Sequence, residues 1–412
     1  MVNQENAALP QVKRRYVGPL SPHINGFSQS LVGEGYRQST MEDKRKLSAE
    51  LSGWMDRREL PLARLDEEAV KQFQSSRRRR LKPRHGDMRT TDQLLRYLRD
   101  LGIISNRRTK IDRSSLGQLT RDFERYLSSE RGLSQSMLVG YPNIARRFLR
   151  DRFGKNPVRV KALRPRDIHS FIIRHLKASN RGQAKMVVCA LRCFFRFLRQ
   201  RNKIAIDLAA AVPGIADWRM SNLPRSLPPN QVRQLIASCN RRTPAGQRDY
   251  AILLLLARLG LRAGEVAKMT LDDLDWARGE VVVHGKNQQD ARLPLLADVG
   301  TALVRYLRYV RPECGTRRLF IRTRAPLRGL KGASAIGNVV RRALSRARLN
   351  PNSKGAHLLR HSLATSLQRR GATLVEIGQL LRHRDLTTTQ IYAKVDIAAL
   401  RGVASAWPRG AQ

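Results

Sequence analysis

HLLRHSLATSLQRRGATLVEIGQLLRHRDLTTTQIYAKV, residues 357–395, encodes two helices and sets a few reactive side chains at their ends. Leu359, Leu363 and Leu367 recur every four residues, which predicts a helix over 356–369 with one apolar face turned to a core. His357 and Arg360 stand three apart in its first turn and share the opposite face. Gly371 stops that helix, and Thr373 with Glu376 forms a capping box that opens a second helix over 374–382. His383 follows the second helix, and Tyr392 lies nine residues beyond it.

Similar signals continue upstream. Tyr250–Leu259 is an apolar helical run ended by Gly260, and Arg262 follows in ARLGLRAGEVAKM (257–269) with Glu265 three residues on. EVVV (280–283) and ARLPL (291–295) read as strands, joined by HGKNQQD, a hairpin turn that carries Lys286. Further helices are predicted over 298–310 and 333–347, so residues 232–402 form a mostly helical domain with a small β-sheet, followed by a short tail at 403–412. Arginines at helix N-termini are ready anion sites, because free N–H groups and the helix dipole favour phosphate. Singly, each residue is ordinary: an arginine after a glycine commonly caps a helix, and a tyrosine in an amphipathic helix commonly packs. Asp272, Asp273 and Asp275 in TLDDLDW admit a metal-dependent nuclease, but acids beside a helix end are better read as caps. No Cys/His cluster has zinc spacing, and His357 with His361, four apart, lacks a third ligand nearby.

Charge dominates the composition. The 412 residues hold 79 Lys and Arg against 33 Asp and Glu, a net charge of +46 spread along the chain. An excess of that size calls for a polyanionic partner, and with 41% apolar residues the chain still folds, so it is a globular basic protein. The longest apolar run, Tyr250 to Ala257, is too short to span a bilayer, and the N-terminus has no secretory h-region. Neither membrane nor secretion is expected, and the cytoplasm, at the nucleoid, is the expected compartment. Cys189, Cys193, Cys239 and Cys314 make no disulfide framework and read as buried thiols in a reducing compartment.

An internal repeat precedes the last domain. Phe27, Leu31, Glu34, Gly35, Gln38 and Ser39 recur as Phe123, Leu127, Glu130, Gly132, Gln135 and Ser136. Leu47, Leu51, Leu65, Val70 and Phe73 then match Ile144, Phe148, Leu163, Ile168 and Phe171, and LLRYLR (94–99) matches FFRFLR (194–199). Each copy reads as about four amphipathic helices, a periodicity that two small helical bundles can share by chance, but the matched Glu, Gly, Gln, Ser and two Arg positions favour a duplication. The expected organisation is a basic tail (1–22), a first helical domain (23–110), a second (111–212), a proline-rich linker (213–231) and the last domain (232–402). SSRRRRLKPRHGDMR (75–89) reads as a basic connection suited to a phosphate backbone.

Taken together in this order, the residues resemble the tyrosine recombinases, the phage integrase family of DNA strand-exchange enzymes. The resemblance spans about 115–400 and is strongest in RLGLRAGEVAKMTLDDLDW (258–276), GKNQQDARLPL (285–295) and the 357–395 block. It implies a mainly α fold with a small β-sheet in the catalytic domain, preceded by a helical, SAM-like core-binding domain at 111–212 that closes a clamp around double-stranded DNA. The domain at 23–110 has no counterpart in the simplest members, and as a possible duplicate it would add a DNA or protein contact. By the same resemblance Arg262 and Arg360 grip the scissile phosphate, Lys286 is the mobile catalytic lysine, His357 and His383 are the two site histidines, and Tyr392 is the nucleophile. Arg382 departs from the family, which usually has glycine just before the second histidine. His357 is the expected base for Tyr392, and Lys286 the acid for the leaving 5′-oxygen. Ligation through a stored phosphotyrosyl bond needs no metal or cofactor. A homo-oligomer, a tetramer on two duplexes, is implied, or assembly with related recombinase subunits, in the service of a mobile element. A relaxing type IB topoisomerase and a DNA-binding partner without catalysis are the rivals.

Overall fold

The structure, a computed structural model, describes residues 16–82, 84, 86–105, 112–130, 133, 135–176, 181–214, 225–285, 290–383 and 389–395. The chain divides into two compact units, one of residues 1–105 with 220–412 and one of residues 106–219. It is mainly helical, with one three-stranded antiparallel sheet among the described residues.

The first unit begins with a helical module: α1 (Ser21–Gly33), α2 (Gln38–Asp56), a 3₁₀ turn (Leu62–Arg64), α3 (Glu67–Arg78) and α4 (Asp87–Asp100). The second unit has the same order: α5 (Ser115–Ser129), α6 (Gln135–Phe153), a 3₁₀ turn (Val160–Ala162), α7 (Pro165–Leu176) and α8 (Arg181–Gln200). Sequence-matched positions are buried in both. Phe27 and Phe123, Leu51 and Phe148, Val70 and Ile168, Phe73 and Phe171, and Leu98 and Leu198 are each at most 3% exposed. In the second module phenylalanines meet edge to face, Phe148 against Phe171 at 5.3 Å and Phe123 against Phe194 at 5.1 Å. Such pairs add about 0.5–1.5 kcal/mol each beyond their burial.

The C-terminal domain contains α9 (Pro229–Ala237), α10 (Pro244–Arg258), α11 (Ala263–Lys268), β1 (Leu274–Asp275), β2 (Glu280–His284), β3 (Asp290–Pro294), α12 (Ala297–Tyr309), α13 (Gly332–Arg346), α14 (His357–Gln368) and α15 (Leu374–Leu380), then a 3₁₀ turn at Gln390–Val395. Residues 251–257 of α10 are buried all round, and α9, α12, α13 and α14 pack against it, so this apolar run is the central core helix rather than a surface one. β2 and β3 pair from Glu280↔Pro294 to His284↔Asp290, the hairpin read from sequence, and β1 adds a short third strand. Within the first unit the N-terminal module touches this domain: the Leu327 N–H donates to the Glu34 carbonyl at 2.9 Å. A Cβ on Gly35 would lie 2.3 Å from Leu327 Cδ1, so only glycine allows that approach.

Three readings change. The stretch 75–89 is not one loop: Ser75–Arg78 continue α3 and Asp87–Arg89 begin α4, because the apolar period of both helices runs into it. The proline-rich linker ends earlier than read, since Pro229 occupies the first turn of α9, where a missing N–H costs nothing. Cys189 is exposed rather than buried, while Cys193, one turn on, faces the core. Among the described residues no helix is long and apolar enough to cross a membrane.

Candidate active site

The chain reversal after α10 builds one wall of the site. Gly260 adopts φ +58°, and a Cβ there would lie 2.7 Å from Leu381 Cδ2 and 3.1 Å from Leu363 Cδ2. Its carbonyl is thereby aimed at Arg360. The Arg360 guanidinium donates through Nη1 to Gly260 O and through Nη2 to Leu381 O, tying α14 to the ends of α10 and α15. Arg360 is 2% exposed, and no carboxylate forms an ion pair with it among the described residues. Burial, reinforced by the charges of Arg262 and Arg382, lowers its pKa to about 10, so it stays cationic at neutral pH.

Arg262 caps α11. Its backbone N–H donates to Glu265 Oε2 and its Nη1 to Glu265 Oε1, both at 2.8 Å, while Nη2 reaches Arg382 O at 3.3 Å. Glu265 also accepts from Arg382 Nη2 at 2.9 Å. Although burial opposes it, the hydrogen bonds from Arg262 and the charges of Arg382 and Arg262 hold the Glu265 pKa below the ordinary carboxylate value. One acid thus orients two arginines.

Arg382 explains its own departure from the family pattern. It sits at φ +53° just past α15, with its N–H bonded to Gln379 O and that of His383 to Gly378 O, the left-handed turn that favours glycine. Arginine accepts the strained backbone while its side chain folds back onto Glu265. His383 is consequently held in place: Nδ1 meets Thr389 Oγ1 at 2.8 Å, and burial beside Arg360 and Arg262 lowers its pKa to about 4.

Tyr392 lies in the 3₁₀ turn Gln390–Val395, packed with Ala364, Ile377 and Leu381 and 1% exposed. Its hydroxyl meets His361 Nδ1 at 2.8 Å. Burial pushes the phenol up to about 12 against the pull of Arg360, and burial beside His357 and Arg360 pushes His361 down to about 4. A neutral His361 therefore accepts and the phenol donates. His357 opens to solvent at the start of α14, its ring 5.9 Å from that of His361, and partial desolvation with Arg360 and Arg262 lowers its pKa.

Arg262, His357, Arg360, His383 and Tyr392 are thus gathered where α11 and α14 begin and α15 ends. Lys286 lies outside the described residues; the strand end before it is fixed by His284, whose ring meets Asp290 at 2.8 Å and Asp273 at 2.9 Å. The residue that sequence reasoning passed over is His361. It was weighed only as a metal partner of His357, yet the four-residue spacing already set it on the same helix face. Asp272 pairs with Arg317, Asp275 with Arg278, and Asp273 with the Thr270 N–H and His284, so each serves a local contact.

Known proteins resemble this chain. The model of the phage integrase family matches residues 225–398. The protein y4rA of Sinorhizobium fredii (strain NBRC 101917 / NGR234), whose name assigns it to the integrases/recombinases, is 40% identical over 96% of this chain and 96% of its own. The tyrosine recombinase XerC of Alcanivorax borkumensis (strain ATCC 700651 / DSM 11573 / NCIMB 13689 / SK2) is 33% identical over 69% of this chain and 92% of its own. Among solved structures, the site-specific recombinase XerH bound to its difH substrate has a TM-score of 0.56 at 18% identity, covering 71% of this chain and 96% of that one. The Tn1549 transposon integrase in complex with a circular intermediate DNA has a TM-score of 0.54 at 16% identity, covering 69% and 99%. With such identity running through nearly its whole length, the chain belongs to the phage integrase family, the tyrosine recombinases.

Proposed function

We propose that this protein is a site-specific recombinase in which Tyr392 attacks a DNA phosphodiester to form a 3′-phosphotyrosyl bond. The observation that supports this most directly is the cation at the centre of the gathered set: Arg360 is buried, held by two backbone carbonyls, and without an ion-paired acid among the described residues. Such a group gains most from a phosphate. In an in-line displacement the non-bridging oxygens gather negative charge, and the planar forks of Arg262 and Arg360 receive it. The Tyr392 oxygen bonds to phosphorus as the P–O5′ bond breaks. The phenol proton passes to a site histidine, and the leaving 5′-oxygen takes one from Lys286. His357 stands at the phosphate side for that transfer, while His361 holds the hydroxyl in the resting state. Since Tyr392 is buried, DNA binding has to turn it out of its pocket before attack. Religation reverses the step on a new 5′-hydroxyl, so no metal or nucleotide enters the scheme.

The second helical module serves as the core-binding half of the clamp, and the N-terminal module, read as its duplicate from the shared element order, adds a further DNA contact. Exchange between two duplexes calls for a tetramer, and a mobile element is the proposed client. Covalent trapping on nicked duplexes carrying the element's ends tests the reading. Wild-type protein gives a denaturant-resistant adduct and Tyr392→Phe gives none; an adduct that persists in the variant overturns the assignment.

A further inference from the structure

A cavity of about 580 Å³ opens in the N-terminal module between α2, the end of α3 and the start of α4. We propose that it binds a backbone phosphate of duplex DNA, with Lys46, Arg78 and Arg89 at its rim and Lys44 at its base. This rests on reading the N-terminal module as a DNA contact and names the surface that makes it.

The acids in the cavity are already engaged. Arg77 bonds Glu50 at 2.6 Å and Asp87 at 2.7 Å, and Arg84 bonds Asp43 at 3.3 Å. Lys46, Arg78 and Arg89 are exposed and form no ion pair among the described residues. Lys44 is 6% exposed, and its Nζ donates to two neutral acceptors, Thr90 Oγ1 at 3.1 Å and Gln93 Oε1 at 2.6 Å. An ammonium has three donors, and beyond these two oxygens the Nζ meets only the face of the Tyr36 ring, 4.8 Å from its centre, among the described residues. Gln74, 5% exposed, lines the same cavity with its Nε2 lacking any acceptor. Gly86, at φ +126°, brings the N-terminus of the fourteen-residue helix α4 to the cavity without a side-chain cap. An anionic oxygen supplies what these groups lack.

The second module shows that the scaffold does not require this lining. Where the helices match, Lys44, Gln74, Arg89, Thr90 and Gln93 are replaced by Tyr141, Ile172, Cys189, Ala190 and Cys193, although the matched core positions stay buried and apolar. The polar set has been placed on a fold that is stable with an apolar one. A polymer fits better than a free anion, because the cations continue past the module. The charge of Arg89 acts on Arg322 of the C-terminal domain, and Arg322 in turn lines a cavity with Arg324 and Arg346, where Arg248 and Arg342 are paired with Asp249.

The test uses the full chain, a duplex of arbitrary sequence, and binding measured across a salt series. Each lost phosphate contact removes about 0.9 from the slope of log K against log salt. The triple variant Lys46→Gln, Arg78→Gln, Arg89→Gln is expected to lose about 0.9 from that slope, the one phosphate contact of the cavity. A control with equal charge loss on exposed residues away from the cavity, Arg57→Gln, Arg64→Gln, Arg96→Gln, is expected to keep it. An unchanged slope in the cavity variant, or the same drop in the control, overturns the proposal. So does a cavity variant that keeps its DNA slope but no longer gains melting temperature from inorganic phosphate, which marks a free-anion site. Adduct formation is scored separately: a chain that forms no adduct yet shows the slope change retains this inference and loses the recombinase reading.

Discussion

Arg360 and Lys44 are both buried cations with no ion-paired carboxylate among the described residues, but the fold holds them in different ways. Arg360 donates to two backbone carbonyls at helix ends, Gly260 and Leu381, which move only if the helices move. Lys44 donates to the side chains of Thr90 and Gln93, and Gln93 passes the network on to Glu34 at 3.1 Å and Tyr36 at 2.9 Å. A cation fixed by backbone suits transition-state stabilisation, which demands placement before the charge develops. A cation on rotatable partners can shift to meet a phosphate, which suits binding. The same desolvation cost is thus accepted in two places for two purposes.

The largest expected effect follows from the backbone-held cation. Arg360→Ala should slow adduct formation by about 100- to 1,000-fold, the loss from one preorganised donor. It should also cost about 1–3 kcal/mol of stability by leaving the Gly260 and Leu381 carbonyls unpaired. Single-turnover trapping on nicked duplex and chemical denaturation read the two effects. If cleavage survives within tenfold, Arg360 is a structural tie and the contrast with Lys44 collapses.

The two cations also differ in how far the sequence disclosed them. Arg360 stood in HLLRH, one turn into a helix whose apolar face was marked by Leu359, Leu363 and Leu367, so its position was readable from local spacing, although its carbonyl partners at Gly260 and Leu381 were not. Lys44 was not, because its burial depends on Thr90 and Gln93 from a helix more than forty residues away, and no local period reports a contact of that range. Arg382 shows a third case: the family pattern flagged it, but only the backbone at φ +53° says why glycine is usual there. His361 was visible as a histidine on the His357 face, yet its bond to Tyr392 requires the 3₁₀ turn to fold back onto α14. The hairpin, the central apolar helix and the matched modules were all legible, since each is written in short-range periodicity.

A second prediction concerns pH. His361 and His383 have folded pKa values of about 4 against an ordinary 6.5. Between those values the unfolded chain binds more protons, so stability falls as pH drops from 6.5 toward 4 and is fully present above 6.5. For His361 the loss should be on the order of 1–3 kcal/mol. His361→Phe should flatten that part of the profile in denaturant unfolding; a profile as steep as wild type assigns the acid loss elsewhere. Lys44 gives the opposite end of the range. Burial lowers its pKa below 10.5, so the unfolded chain again binds more protons and stability rises as pH climbs toward 10.5. Lys44→Met should remove that rise and leave the fold neutral or more stable by about 1 kcal/mol at pH 7, because a buried charge gives way to an apolar chain of similar length. A clear loss of stability would mean that Lys44 is a structural pillar and not a cation held for a ligand.

The smallest effect is expected at Arg382, where two contributions oppose each other. Arg382→Gly relieves a left-handed backbone that costs a side-chain-bearing residue about 1 kcal/mol. It also removes the 2.9 Å pair with Glu265, in which both side chains are largely buried. Stability measured by denaturation should therefore change by less than about 1 kcal/mol. The cleavage rate discriminates better than stability. Without Arg382, Glu265 is left with Arg262 alone and pairs with it more fully, drawing that guanidinium away from the phosphate. Arg382→Gly should accordingly slow adduct formation modestly while leaving duplex affinity unchanged. A rate equal to or above wild type would show that Glu265 does not restrain Arg262, and that the arginine at this turn serves only to cover the helix end.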